Sequence, residues 1–310
     1  MLTLLLLVRI APEHKALLLE RFNVIEATDS AARAAAIATH GAAIELVLTN
    51  GATGFTAAEI AALPKLQLLA AQGAGYENVD VAAARARGVP VCNGAGTNDD
   101  CVADHTMALL LSSVRALPQQ GAALRAGVWR DALPLFPQLG GRKLGIIGLG
   151  TIGLKIARRA AAFGMLIGYH NRRPRADAGD AAYFDSVQAL ATWADDLIVA
   201  TPGGASTQHI INAEVLALLG AGGHVVNIAR GSCVDTAALA AALQGGLIAG
   251  AALDVYESEP APPQALLGLD NVVLTPHVAG WSPQAIRATV TNFIANVEAL
   301  QRGEPLRTPV

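Results

Sequence analysis

Short apolar runs alternate with helical stretches along almost the whole chain. Residues 2–9, 24–27, 44–49, 66–71 and 89–92 have the length and composition of buried strands. Helical patterns separate them. One covers 12–21, with Pro12 in its first turn; another covers 29–39, capped by Asp29. A third covers 56–63, capped by Thr56 and stopped by Pro64. A fourth starts at Asn78 or Asp80 and ends before Gly88. Residues 97–117 form a long helix, apolar nearly all round, which places it at a domain or subunit boundary. A helix at 119–127 and a loop holding Trp129, Pro134 and Pro137 follow.

The alternation then resumes. Strands are predicted at 144–147, 165–169, 195–200, 224–228, 248–255 and 272–275. Helices are predicted at 152–163, 186–193, 212–219 and 235–243, a helical turn at 266–267, and a last helix at 283–302. The pattern implies an α/β chain with two doubly wound parallel-sheet domains. One domain, 98–285, is expected to be inserted in the other, built from 1–97 and 286–310. Ligands should sit in a cleft at the carboxyl ends of the strands.

Composition narrows the class. The chain has 310 residues, 53% of them hydrophobic and 15% charged, enough for two sizeable cores. A net charge of −3 points to no nucleic acid and no membrane as partner. Cys92, Cys101 and Cys233 lie far apart, lack metal spacing, and read as buried thiols in a reducing compartment. The apolar start is interrupted by Arg9 and lacks the features of a signal peptide. A cytoplasmic protein is expected.

One stretch carries a specific chemical signal. Gly148, Gly150 and Gly153 stand in G-x-G-x-x-G spacing between a predicted strand and a predicted helix. Gly148 permits the turn, Gly150 lets a pyrophosphate approach the backbone, and Gly153 lets the helix pack against the sheet. The helix start, Thr151-Ile152, offers unpaired N–H groups to phosphate. A dinucleotide site is expected here, which makes 98–285 a Rossmann cofactor domain and the remainder a flavodoxin-like substrate domain.

Three polar side chains follow predicted strand ends: Arg230, Glu259 and His277. Each alone has an ordinary structural explanation. Together they fit reduction of a 2-keto acid by hydride transfer. Arg230 can hold a carboxylate through two hydrogen bonds. His277 can give a proton to the carbonyl oxygen, and Glu259 beside it would favour the imidazolium.

These segments, 227–231, 252–260 and 274–280, resemble the signature segments of the D-isomer-specific 2-hydroxyacid dehydrogenases. The glycine turn and residues 93–98 match in order and spacing. The resemblance implies that Arg230 orients the substrate and that Glu259 and His277 form the acid/base relay. It implies that Asp254 binds the nicotinamide carboxamide, and that the amides of Ala74 and Gly75 receive the substrate carboxylate. It adds Thr201, Pro202, Thr207 and Ala229 to the cofactor contacts. The family's usual Glu-His pair appears as Asp104-His105, which receives no role. The long helix from Cys101 implies a homodimer, as such helices in the family cross the two-fold. Trp129, Phe136 and Trp281 are candidates for the pocket wall, one of them across a dimer interface.

Cofactor choice is read at the end of the second strand. An NAD site wants Asp or Glu about 20 residues past the glycine turn. Here the sequence reads His170-Asn171-Arg172-Arg173, with Arg175 beyond. No acid repels a 2′-phosphate, and guanidinium groups are present to bind one. NADPH is therefore expected over NADH, with a small 2-keto acid of the glyoxylate or hydroxypyruvate type as substrate. 2-Ketogluconate or aromatic 2-keto acid reduction is the alternative. A non-catalytic dinucleotide-sensing protein is the reading from a different class. Glu259 argues against a formate dehydrogenase-like enzyme, which has Gln there; phosphite oxidation stays open on these residues.

Overall fold

Leu4, Leu5 and Leu6 are fully buried, consecutive and in one strand, so both faces of that strand lie in core. Each such side chain contributes roughly 1.5–3 kcal/mol of apolar burial. The strand is β1 (Thr3–Leu6), and with β2 (Asn23–Glu26), β3 (Leu46–Asn50), β4 (Leu68–Gln72) and β5 (Val91–Cys92) it forms a sheet of order β2-β1-β3-β4-β5. Every pairing is parallel. This is the flavodoxin-like order. The helices between the strands are α1 (Pro12–Leu19), α2 (Ser30–His40), α3 (Ala57–Ala61) and α4 (Val81–Ala86). Asp29 caps α2, Thr56 closes a full capping box with Glu59 on α3, and Asp80 caps α4.

The second sheet has seven strands. They are β6 (Lys143–Ile147), β7 (Leu166–His170), β8 (Ala182–Phe184), β9 (Asp196–Val199), β10 (His224–Asn227), β11 (Gly250–Leu253) and β12 (Val272–Leu274). The order, β12-β11-β10-β9-β6-β7-β8, is that of a Rossmann sheet extended by one strand, again all parallel. Its helices are α5 (Asp99–Val114), α6 (Leu117–Arg125), α7 (Thr151–Ala162), α8 (Val187–Trp193), α9 (Ala213–Leu219) and α10 (Thr236–Gln244); α11 (Pro283–Gln301) closes the chain. Sequence reading missed β8. It is three residues long, lies at the sheet edge and is half exposed, so its apolar pattern is weak.

The structure describes residues 1–310 as a computed structural model. It comprises two units, Met1–Asp99 with Gly280–Val310, and Asp100–Ala279. The sequence placed the changeovers at 97/98 and 285/286. In the first unit α11 packs on the sheet through Ile286, Val290, Phe293 and Val297, and Phe293 meets Phe22 edge-on at 5.7 Å. In the second, α5 buries Val102, Ala103, Met107, Leu109 and Leu110 but leaves Asp100, Asp104 and Ala108 exposed along one stripe. It is therefore not buried all round: Asp100 and Asp104, one turn apart, mark that stripe, and only Ala108 on it reads as apolar. Lys155 and Arg159 of α7 bind Asp100 and Asp104 on it. Cys92 and Cys233 are buried, Cys101 is half-buried, and none forms a disulfide. No helix is long and apolar enough to cross a membrane.

One buried base makes stability depend on pH. His224 opens β10 at 5% exposure, and its Nδ1 lies 2.8 Å from Ser113 Oγ. Burial first, and then the nearby charge of Arg142, hold its pKa down to about 4, from an ordinary 6.5. The unfolded chain therefore takes up a proton near pH 6.5 that the folded chain refuses until about pH 4. Stability falls as pH drops through this window and His224 contributes no further loss below it. The contribution is on the order of 2 kcal/mol at pH 5. Urea midpoints at pH 7.5 and 5 should fall more for the wild type than for His224→Gln; equal falls would refute the assignment.

Candidate active site

The register of the second sheet lines up six strand ends. Leu274 pairs with Leu253, Leu253 with Asn227, Asn227 with Val199, Val199 with Ile147, and Ile147 with His170. Parallel strands lie about 4.8 Å apart, so the segments leaving this row emerge side by side. The row and these segments hold every catalytic and cofactor-binding residue predicted in this unit.

The glycine turn follows Ile147. Gly148 has φ of 98°, and a Cβ there would lie 2.7 Å from Ala200 O. A Cβ on Gly153 would lie 2.4 Å from Gly148 O, so α7 closes directly onto the turn. Gly150 is different: a Cβ on it would meet nothing within 4 Å. The space above Gly150 is open, at the N-terminus of the twelve-residue α7, where Thr151 is exposed and Ile152 half-buried. That is the space and polarity a pyrophosphate needs, so a dinucleotide fits.

His170, Asn171, Arg172 and Arg173 leave β7 beside this turn. His170 Nδ1 lies 2.9 Å from Phe184 O on β8. Asn171 Oδ1 accepts from Leu149 N at 2.7 Å, so this side chain holds the glycine turn in shape. Arg172 and Arg173 are exposed and make no ion pair. Arg175 is tied down: it makes two bonds to Asp177, 2.7 and 2.6 Å, and donates to Leu149 O. Of the three arginines, two are available to an incoming phosphate.

Thr201 and Pro202 leave β9, and Thr207 Oγ1 donates to Pro202 O at 2.9 Å, drawing the loop tight. Ala229 follows β10 at 5% exposure, its N–H donating to Asn227 Oδ1 at 3.0 Å. Asn227 Nδ2 donates to Arg230 O at 2.9 Å. Asn227 thus folds the turn that presents Arg230, a role sequence reading missed. The available signal was a polar residue closing the apolar run HVVN. Arg230 Nη1 donates to Ala229 O at 2.6 Å.

Asp254 follows β11 and is 1% exposed. Its Oδ1 accepts from Thr275 Oγ1 (2.6 Å) and Val278 N (2.9 Å), its Oδ2 from Ala279 N (2.8 Å). Most of its capacity therefore goes to shaping the turn of His277. Thr275 Oγ1 also lies 3.0 Å from Nε2 of His105, the residue given no role in the sequence. His105 thus backs the same turn from α5.

His277 has φ of 55°, a strained conformation for a residue with a Cβ. Its N–H donates to Asp254 O at 2.8 Å. Its Nδ1 lies 2.9 Å from Glu259 Oε2. A carboxylate only accepts, so Nδ1 carries the proton and Nε2 is the outward nitrogen. Glu259 Oε1 accepts from Tyr256 N at 2.8 Å. The Glu259 bond raises the pKa of His277 above its ordinary value, against the opposing effect of burial. For Glu259 burial acts upward, but the bonds from His277 and Tyr256 outweigh it and hold the carboxyl below its usual range. Tyr256 itself is missed by sequence reading; its hydroxyl reaches Leu253 O (2.8 Å) and Thr275 O (2.7 Å).

Ala74 and Gly75 belong to the first unit, in the turn after β4. Gly73 there has φ of 76°, its carbonyl accepts from Gly94 N, and Ala74 O accepts from Asn93 Nδ2 at 2.8 Å. Of the aromatic residues considered for the pocket wall, Trp129 and Trp281 are 66% and 62% exposed. Phe136 lines a cavity with Ala116, Leu133, Pro134, Gly250 and Asn271, at the amino ends of β11 and β12. That is the opposite end of the sheet from His277, so Phe136 does not wall this chain's own site.

Residues 107–279 match the family model described as D-isomer specific 2-hydroxyacid dehydrogenase, NAD binding domain. The chain is 36% identical to the glyoxylate/hydroxypyruvate reductase A of Arabidopsis thaliana, over 94% of this chain and 93% of that one. It is 39% identical to the 2-ketogluconate reductase of Gluconobacter oxydans, over 86% of each. Its fold matches the NADPH-dependent glyoxylate/hydroxypyruvate reductase of Sinorhizobium meliloti, solved with NADP and malonate. That match has a TM-score of 0.90 at 41% identity and covers 100% of this chain and 96% of the other. With the Rossmann order, the open glycine turn and the Arg230, Glu259 and His277 row, these likenesses show that the chain belongs to the D-isomer specific 2-hydroxyacid dehydrogenases, nicotinamide-dependent oxidoreductases that act on 2-hydroxy acids.

Proposed function

We propose that this enzyme uses NADPH to reduce a small 2-keto acid of the glyoxylate or hydroxypyruvate type to the D-2-hydroxy acid. The observation that carries the reading is the His277–Glu259 pair at 2.9 Å, in the same strand-end row as Arg230 and the open turn at Gly150. When bound, the reduced nicotinamide supplies the hydride. Gly148, Gly150, Thr151, Ile152 and Gly153 would hold its pyrophosphate, and Thr201, Pro202, Thr207 and Ala229 would line its path. Asp254 would take the carboxamide through Oδ2, which accepts one bond in the folded chain. Arg230 would hold the substrate carboxylate, and His277 Nε2 would protonate the carbonyl oxygen. Glu259 steadies the imidazolium before transfer.

NADPH preference is supported by Arg172 and Arg173, exposed and unpaired at the end of β7, and by the absence of an acid at residue 170. It agrees with the NADPH dependence of the Sinorhizobium relative. Several further relatives are glyoxylate reductases. The 2-ketogluconate and hydroxyphenylpyruvate reductases among the relatives define the alternatives. Initial rates with glyoxylate, hydroxypyruvate, 2-ketogluconate and phenylpyruvate should favour one of the first two. NADH matching NADPH in kcat/KM would sink the preference. Arg172→Asp should weaken NADPH binding about tenfold or more. His277→Ala should bind NADPH normally and lose about 10²–10⁴ in rate; undiminished turnover would remove it from the mechanism.

The raised pKa of His277 gives the pH dependence. Reduction needs the imidazolium, so kcat/KM for the keto acid holds at low pH and falls as pH passes the raised value. Oxidation of the hydroxy acid runs the other way. Glu259→Gln removes the main cause of the rise, so the alkaline limb of reduction should move to lower pH. A limb that stays put would assign it to another group.

Assembly is part of the proposal. Leu117 and Leu124 of α6, with Trp129 and Leu135 beyond it, are 50%, 59%, 66% and 100% exposed. Exposed apolar side chains of this size suit a homodimer interface. A monomer by light scattering at micromolar concentration would refute this. The unpaired cysteines suit a cytoplasmic setting.

A further inference from the structure

His209 lies outside every segment used above, yet it sits where three active-site loops meet. It follows Thr207 in the loop that leaves β9. Its φ is 48°, one of three non-glycine residues in the chain with a positive value; His277 is another. Left-handed backbone at such a residue persists where surrounding contacts hold it. Here the His209 N–H donates to Ser232 O at 2.8 Å, and two residues on Ile211 N donates to Cys233 O at 3.0 Å. The β9 loop is thereby stitched to the segment that carries Arg230.

The side chain reaches the third loop. His209 Nε2 lies 2.7 Å from Glu257 Oε1. Glu257 Oε2 accepts from Thr236 N at 3.0 Å, at the start of α10, where a carboxylate also meets the helix dipole favourably. Both carboxylate oxygens are thus engaged, and Glu257 stands two residues before Glu259 in the chain. The Arg230 segment touches the same backbone: a Cβ on Gly231 would fall 1.9 Å from Tyr256 C and 2.3 Å from Glu257 N. Tyr256 N in turn donates to Glu259 Oε1. Glu257 is therefore linked on one side to the Arg230 segment and on the other, through Tyr256, to Glu259.

We propose that His209 and Glu257 form a clasp that positions Arg230 and Glu259, so that both are positioning residues for the keto-acid reaction without touching substrate. The proposal rests on the functional reading above. The groups facing His209 are Glu257 and Asp235, the latter 4.0 Å from Nδ1. The bond to Glu257 raises the pKa of His209, which favours a charged clasp. The groups facing His277 are Glu259, Asp254 and Arg230. The clasp is half exposed, and pairs of that kind add little to global stability. Its loss should appear in the geometry of Glu259 and Arg230, not in unfolding.

The test compares His209→Gln, Glu257→Gln and His209→Lys with the wild type. The first readout needs no substrate: the His277 imidazole titration by NMR, its signal assigned by its loss in His277→Gln. In both Gln variants the midpoint should fall by about half a pH unit, as Glu259 loosens. The kcat/KM for the keto acid should fall about tenfold, and the urea midpoint should stay near wild type. His209→Lys, which keeps a cation at the site, should recover most of both losses. An unmoved His277 midpoint in folded Gln variants would overturn the clasp. So would Gln variants that fail to fold, since the pair would then be holding the fold rather than the site. A shifted midpoint in a protein whose wild type reduces no keto acid would support the clasp and sink the functional reading instead.

Discussion

The turn that carries His277 depends on a buried carboxylate. Asp254 is 1% exposed and accepts three hydrogen bonds from the turn: Thr275 Oγ1, Val278 N and Ala279 N. A carboxylate removed from water costs far more than these bonds would recover in isolation, so it is tolerated only where its lone pairs are nearly all used. The same bonds hold His277 at a φ of 55° that its side chain would not otherwise choose. The His277 imidazole is placed by a network behind it, which draws on Thr275, His105 and Tyr256 as well.

The network can work because the sheet delivers its parts in register. Leu253 and Leu274 end level with each other, so Asp254 and Thr275 leave β11 and β12 at neighbouring points. Asn227 ends level with Leu253, which brings the Arg230 turn alongside. Gly231 then packs on the Tyr256–Glu257 peptide with no room for a side chain. Arg230, Glu259 and His277 are far apart in sequence, and strand pairing removes that separation. The remaining adjustment is local: Asn227 bends one turn, Asp254 the next, and the His209–Glu257 bond joins these to the loop after β9.

The two ends of the second sheet have different characters. At the carboxyl ends the exposed groups are polar and charged. At the amino ends of β11 and β12 the surface is apolar and hollow, lined by Phe136 and α6, with Leu135 fully exposed beside it. His224 is buried at this same end as a neutral base. Chemistry and packing are thus separated across about the length of one strand, so the apolar end can be covered without obstructing the site.

The sequence by itself determined the parts that depend on near neighbours. Helix starts at Asp29, Thr56, Ser186, Asn212 and Asp235 were legible because a cap bonds an amide three residues on. The strands were legible as apolar runs, and the glycine turn because its spacing encodes its geometry. Arg230, Glu259 and His277 were legible through their segments. The short edge strand β8 was not, since three residues, two of them exposed, carry little pattern. Only the tertiary structure decided the rest. Asp177 occupies Arg175, Asn171 holds the glycine turn, Phe136 lies at the far end of the sheet, and His105 backs the His277 turn. Each of these rests on which polar group meets which, or on which end of the sheet a loop reaches. Local periodicity records whether a residue is buried, whereas its hydrogen-bond partner is chosen when distant strands pair.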